Sequence, residues 1–117
     1  MKKDSYYINT FSGEKNGKYS KVSGYVETVT DNKGFNTLII GYDYRNKAWW
    51  CATELSTGLC VSLKTSKTKK ECIEDVHNNI DNIVKIYKKR MADEKYYQEH
   101  IKPFEDFVNA NGGFNNA

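Results

Sequence analysis

Histidine and cysteine side chains are the residues of this chain that could supply general acid–base or nucleophilic chemistry. His77 and His100 lie in the C-terminal half, and the three cysteines stand at positions 51, 60 and 72. No local signature pairs a thiol with an imidazole, although Cys51 or Cys60 could meet His77 after folding. The sequence therefore predicts no catalytic residue, and a small enzyme with a Cys/His pair ranks third among the functional hypotheses.

The same residues give no metal or disulfide pattern. Cys72 and His77 are five apart on a predicted helix, which does not place them on one side for shared coordination. Three cysteines are an odd number, and they lack the paired spacing of a disulfide framework or a zinc site. Met1 is followed by charged residues without an apolar run, and no later stretch is long enough to span a bilayer. We expect a cytoplasmic protein that needs no metal or cofactor and does not enter a membrane.

Alternation with a period of two predicts strands in the first half of the chain. Turn residues such as Asn16-Gly17 and Ser56-Thr57-Gly58 separate these segments. The segment at 35–44 carries large apolar residues on both faces and should be central in the sheet. The predicted strands span residues 6–11, 19–30, 35–44, 48–55 and 59–64.

At Thr68 the period changes to about 3.6, which indicates a helix. Thr68 and Glu71 have the spacing of a capping box. One apolar stripe, which should cover a face of the sheet, follows and contains Cys72, Ile73, Val76, Ile80, Ile83, Val84, Tyr87 and Met91. The stripe shifts near Asp93, and Pro103 should bend the helix that contains it.

These elements predict a single α+β domain over residues 1–117. An antiparallel sheet of four to five strands (residues 6–65) is followed by one long amphipathic helix and a second or kinked C-terminal helix, within residues 68–110. Residues 111–117 are expected to form a flexible tail.

Charge is distributed unevenly along the chain. The net charge is +3; residues 1–66 contain nine Lys/Arg and six Asp/Glu, whereas residues 67–117 contain nine of each. An anionic partner should therefore contact the N-terminal part. Asp31, Asp43 and Glu54 are interpreted as solvated charges at strand ends or turns.

Aromatic residues are concentrated on the predicted strands, and a helix layer could cover only one sheet face. An uncovered aromatic face usually marks a partner site or an oligomer interface. Trp49 and Trp50 must point to opposite faces. Because Cys51 and Leu55 share the side of Trp49, Trp49 is predicted to lie in the core and Trp50 to be available. The predicted binding residues are Trp50, Tyr25, Tyr44, Arg45 and Lys47.

Two resemblances suggest what could bind there. The order of strands followed by a helix is similar in topology to the Pur and whirly families, which implies a platform that stacks the bases of single-stranded nucleic acid. The short, Lys-, Asn- and Tyr-rich composition resembles accessory proteins of bacteriophages of low-GC bacteria, including anti-CRISPR and other anti-defence inhibitors. That resemblance implies a protein that binds a host nuclease complex.

The leading hypothesis is accordingly a non-enzymatic inhibitor of a host defence or nucleic-acid enzyme. The second hypothesis is a single-stranded nucleic-acid-binding protein that uses the aromatic and basic sheet face. A homodimer formed through that face is a further possibility.

Overall fold

The computed structural model describes residues 1–12, 15–45 and 47–112 of the chain. The strands are β1 (Lys2–Ser12), β2 (Lys15–Thr30), β3 (Thr37–Arg45), β4 (Trp49–Glu54) and β5 (Leu59–Cys60). The helices are α1 (Lys69–Asn78), α2 (Ile80–Ala92), α3 (Glu94–Tyr96), a π-helical turn (Tyr97–Ile101) and α4 (Lys102–Ala110). The predicted α+β class, with strands first and helices after them, is confirmed.

The strands form one antiparallel meander in the order β1-β2-β3-β4-β5. The central position predicted for the segment that became β3 is correct. β1 begins at Lys2, four residues before the predicted start, because Lys2 pairs with Val26 in the longer β2. Side-chain alternation is weak in this polar stretch, so the extension could not be seen in the sequence.

The two edges of the sheet meet through Asn9. Its backbone N–H donates to Gly58 O in the turn before β5 at 2.8 Å. Its side-chain amide donates to Thr57 O and to His100 O, at 3.2 and 2.8 Å. Because β1 and β5 are the outermost strands, these bonds require the sheet to curl upon itself.

The inner face of the curled sheet is filled by a small core of Tyr6, Ile8 and Leu55, with Val22, Val26 and Ile39 packed around it. Tyr6 has no exposed surface. Its ring lies against Gly41, where an added Cβ would be 2.5 Å from Tyr6 Cζ. At Gly24 an added Cβ would lie 2.9 Å from the Tyr6 hydroxyl and 2.2 Å from Tyr42 O. The two glycines therefore make room for the tyrosine.

The helices pack on the outer face, as the apolar stripe predicted. A larger core joins β2, β3 and β4 to α1 and α2, and it contains Val29, Leu38, Ile40, Tyr42, Ala52, Val61, Cys72, Val76, Ile80, Ile83 and Val84. At the far end of the hairpin β1–β2, Tyr7 and Tyr19 contact Phe107 of α4 with ring centroids 5.1 and 4.8 Å apart. Both helical segments thus cover the same face of the sheet.

The predicted long helix is interrupted at Asn79. Thr68 caps α1 by accepting a hydrogen bond from Glu71 N at 3.1 Å, as the capping pattern predicted. At Asn79 the side-chain amide donates to Asp75 O at 2.8 Å. A side chain that competes for a helical carbonyl in this way favours a helix end, so α2 starts afresh at Ile80.

The C-terminal helical segment is kinked, as expected from Pro103. Asp93 accepts from Tyr96 N at 3.0 Å and starts this segment. The π-helical turn Tyr97–Ile101 then precedes α4, and Pro103 stands in the first turn of α4, where a missing N–H is tolerated. The helix ends at Ala110, and the predicted tail falls largely on residues 113–117, outside the described residues.

Replacing Ile80 by Ala tests the helix–sheet core. Ile80 is 2% exposed, so removing its side chain should lower the free energy of unfolding by about 2–5 kcal/mol. Urea denaturation followed by circular dichroism measures this, with Lys85→Ala on the exposed side of α2 as the control. A loss of only a few tenths of a kcal/mol at Ile80 would contradict the core assignment.

Replacing Gly41 by Ala tests the inner core. The new methyl group would overlap the Tyr6 ring, and overpacking of this kind typically costs about 1–3 kcal/mol. Ser23→Ala, on the exposed outer face of β2, should be nearly neutral in the same urea titration. Equal stability of the Gly41→Ala and Ser23→Ala variants would show that Tyr6 does not occupy this position.

Candidate functional site

Three aromatic side chains form a cluster at the β3–β4 hairpin end of the outer face. Strand register brings them together, since Tyr42 pairs with Tyr25 and Tyr44 pairs with Trp50. The Trp50 ring centroid is 5.8 Å from that of Tyr44 and 6.4 Å from that of Tyr25. We call Tyr25, Tyr44 and Trp50 the aromatic cluster. All three belong to the predicted binding residues.

The aromatic cluster lies at the border of the helix-covered core. Trp50 is half-buried and packs against that core, and its backbone N–H donates to the backbone oxygen of Ser66 at 2.8 Å. Tyr44, directly opposite Trp50 on β3, is 51% exposed. The cluster therefore combines an anchored tryptophan with a tyrosine that a partner could bury.

Lysines surround the aromatic cluster. Lys69 of α1 places its Nζ 3.9 Å from the centroid of the Tyr25 ring, in a cation–π contact. Lys3 is the cross-strand partner of Tyr25 and is exposed. Lys47 is exposed in the hairpin turn, with a positive φ of 54°. The structure thus places the predicted Lys47 at the hairpin end beyond the cluster, and it adds Lys69, which the sequence did not indicate.

Arg45, the fifth predicted binding residue, lies on the inner face. Its Nε and Nη2 donate to the two oxygens of Asp43 at 2.8 and 3.0 Å, and Nη2 also donates to Thr53 Oγ1 at 3.0 Å. Burial opposes the charge of the guanidinium, but the bonds to Asp43 outweigh it and raise the pKa of Arg45. The prediction that Arg45 is a neighbour of Trp50 at the binding face is therefore wrong.

The prediction that Trp49 lies in the core and that Trp50 is the available tryptophan is also wrong. Trp49 is 39% exposed and pairs with Arg45, whereas Trp50 packs against the helix-covered core. Alternation correctly placed them on opposite faces. It could not tell which face the helices cover at this point, nor that Trp49 is exposed at the hairpin end.

Asp31, Asp43 and Glu54 are buried, contrary to the expectation of solvated charges. The Tyr6 hydroxyl donates to Asp43 Oδ1 at 2.8 Å, and burial together with Asp43 raises the pKa of Tyr6. Glu54 accepts from the N–H and the hydroxyl of both Ser56 and Thr57, at 2.6 to 3.0 Å. Asp43 and Glu54 therefore accept hydrogen bonds from other residues of the folded chain instead of being solvated.

The groups considered for catalysis do not assemble with one another. His77 Nε2 lies 2.7 Å from Glu27 Oε1, which also accepts from the Tyr42 hydroxyl at 2.6 Å. Cys51 and Cys60 lie on the inner face of β4 and β5, whereas His77 belongs to α1, which packs on the outer face. Within residues 1–12, 15–45 and 47–112, no three His, Cys, Asp or Glu side chains are grouped so that they could hold a metal ion.

Comparisons with known proteins give no assignment. No protein-family model matches the chain, and neither the curated proteins nor the solved structures contain a significant match. None of the helices described is long and apolar enough to cross a membrane. Any function must therefore be argued from the geometry of this chain.

The two tryptophans should respond differently to truncation. Trp50→Ala removes a half-buried indole that contacts the core and should lower the free energy of unfolding by about 2 kcal/mol. Trp49→Ala removes a more exposed ring and should cost less than half as much. Chemical denaturation measures both, and acrylamide quenching of Trp49→Phe and Trp50→Phe compares the exposure of the remaining indole. A greater loss for Trp49→Ala would reverse the assignment.

Proposed function

We propose that this protein is a non-enzymatic binding protein that docks through the aromatic cluster on an anionic surface of a host protein. The single observation that carries the proposal is the convergence of Tyr25, Tyr44 and Trp50 from three strands, with lysines around them. Aromatic side chains bury a large area at low cost in rotamer entropy, which is why tyrosine and tryptophan are enriched among interface hot spots.

The geometry of the rings favours a protein partner over a nucleic acid. A platform for single strands offers free ring faces on which bases stack. Here the Lys69 ammonium lies over the face of Tyr25, and the rings of Tyr25 and Tyr44 are tilted by 38° and 35° to that of Trp50. A base could stack on this face of Tyr25 only after Lys69 moved away.

The composition supports a particular class of partner. It resembles that of phage and mobile-element accessory proteins, and inhibitors of that kind bind host defence or nucleic-acid enzymes such as a CRISPR nuclease complex. Lys3, Lys47 and Lys69 lie at or near the cluster, so an acidic patch on such an enzyme is the complementary surface. The expected consequence of docking is inhibition of the enzyme.

Single-stranded nucleic acid is the second candidate, because the same lysines could contact phosphates. Its binding would weaken steeply as salt increases. Docking on a protein through a partly apolar cluster should persist at higher salt, with slower association when surface charges are screened.

Tyr44→Ala is the most informative variant, since Tyr44 is 51% exposed and its loss should spare the fold. We expect capture of the partner to weaken by at least about tenfold, which corresponds to about 1.4 kcal/mol. The matched control is Phe35→Ala, which removes an aromatic ring that is 84% exposed in the β2–β3 turn, away from the cluster. Parallel pull-downs from host lysate, quantified by mass spectrometry, identify proteins that Tyr44→Ala loses and Phe35→Ala retains.

The purified partner is then titrated at low and high salt with the unaltered protein, with Tyr44→Ala and with Phe35→Ala. The enzymatic activity of the partner is measured in each titration. Equal retention by Tyr44→Ala and Phe35→Ala would contradict docking through the cluster. Binding of single-stranded oligonucleotides that Tyr44→Ala abolishes, without a retained protein, would favour the second candidate. Self-association lost in Tyr44→Ala, measured by light scattering, would instead assign the cluster to a homodimer.

A further inference from the structure

Cys51 and Cys60 lie on adjacent strands and on the same, inner face of the sheet. Thr53 of β4 is directly opposite Cys60 of β5, and Cys51 precedes Thr53 by two residues. The two cysteines are therefore diagonal cross-strand neighbours. Cys72, the third cysteine, lies on α1 and not on a strand.

Their surroundings differ in the way that distinguishes an attacking thiol from a resolving one. Cys60 is exposed on the edge strand, whereas Cys51 is buried. Interaction with the neighbouring Cys51 side chain lowers the pKa of Cys60, and the Arg45 guanidinium acts in the same direction. Reactive cysteines are those that are both accessible and stabilised as thiolates in this way.

Cys72 provides an internal contrast. It has no exposed surface and belongs to the helix-covered core on the other side of the sheet. Burial raises the pKa of Cys72 to about 11. It should remain a reduced structural thiol.

We propose that Cys60 is a site of oxidation by hydroperoxides and that Cys51 resolves the product to an intramolecular disulfide. In the first step the Cys60 thiolate attacks the terminal oxygen of the hydroperoxide. The O–O bond breaks, and the sulfur becomes a sulfenic acid while the alcohol or water leaves with a proton. In the second step the Cys51 sulfur attacks the sulfenic sulfur, an S–S bond forms, and water leaves. The hydroperoxide is the two-electron oxidant, so the balance is complete.

The disulfide requires β5 to move slightly. Diagonal neighbours have Cα atoms about 7–8 Å apart, whereas a disulfide needs about 4.4–6.8 Å. β5 has only two residues and lies at the edge of the sheet, so a shift of this size is confined to a short segment. The inference does not depend on the proposed function, since the chemistry needs only the isolated protein and a peroxide.

The experiment treats the full chain with equimolar hydrogen peroxide and compares it with Cys51→Ser, Cys60→Ser and Cys72→Ser. Alkylation of the remaining thiols and peptide mass spectrometry identify the products. We expect the unaltered protein and Cys72→Ser to form the Cys51–Cys60 disulfide. Cys51→Ser should accumulate a sulfenic acid at Cys60 that dimedone traps, and Cys60→Ser should consume peroxide at least about tenfold more slowly.

Circular dichroism verifies the fold of each variant, and Cys51→Ala replaces Cys51→Ser if the buried hydroxyl disturbs it. Three results would overturn the proposal. These are complete alkylation of all cysteines after peroxide treatment, a disulfide that involves Cys72 or two chains, or equal peroxide consumption by the unaltered protein and Cys60→Ser.

Discussion

The insertion of Tyr6 into the inner face is the contact on which the rest of the sheet depends. Its ring occupies the space that Gly41 leaves by lacking a side chain, and its hydroxyl binds Asp43. Asp43 in turn holds Arg45, which also binds Thr53 on the next strand. The Tyr6 ring from the edge strand β1 is thereby connected to Gly41, Asp43 and Arg45 of β3 and to Thr53 of β4. The sheet must curl to bring these residues together.

The curl of the sheet determines which side chains remain exposed to solvent. Because β1 closes against the turn before β5 and the inner face is filled by its own small core, α1, α2 and α4 pack on the outer face. At the end of the β3–β4 hairpin, Tyr44 on the outer face and Trp49 on the inner face are both exposed.

The sequence predicted what depends on local periodicity. Alternation and helical spacing gave five antiparallel strands, the central position of β3 and the stripe that packs on the sheet. The five predicted binding residues also included Tyr25, Tyr44 and Trp50, which the structure brings into one cluster. The sequence could not give the side on which Arg45 and Trp49 lie, because facing depends on which surface the helices cover. Periodicity also does not predict the hydrogen bonds that side chains form. For this reason the sequence did not reveal the partners of Asp43 or the interruption of the helix at Asn79.

Burial of the carboxylates changes the charge that a partner would meet. Asp43 is compensated internally by Arg45, while Asp31 and Glu54 are bound by nearby amides and hydroxyls. Three of the six acidic residues in positions 1–66 are therefore withdrawn from direct contact, whereas most lysines of that part whose side chains are described stay exposed. The net charge of +3 understates how basic the contact surface is near the aromatic cluster. For the acidic partner that we propose, the exposed Lys3 and Lys47 carry charge of the complementary sign, which is the electrostatic condition for fast and selective association.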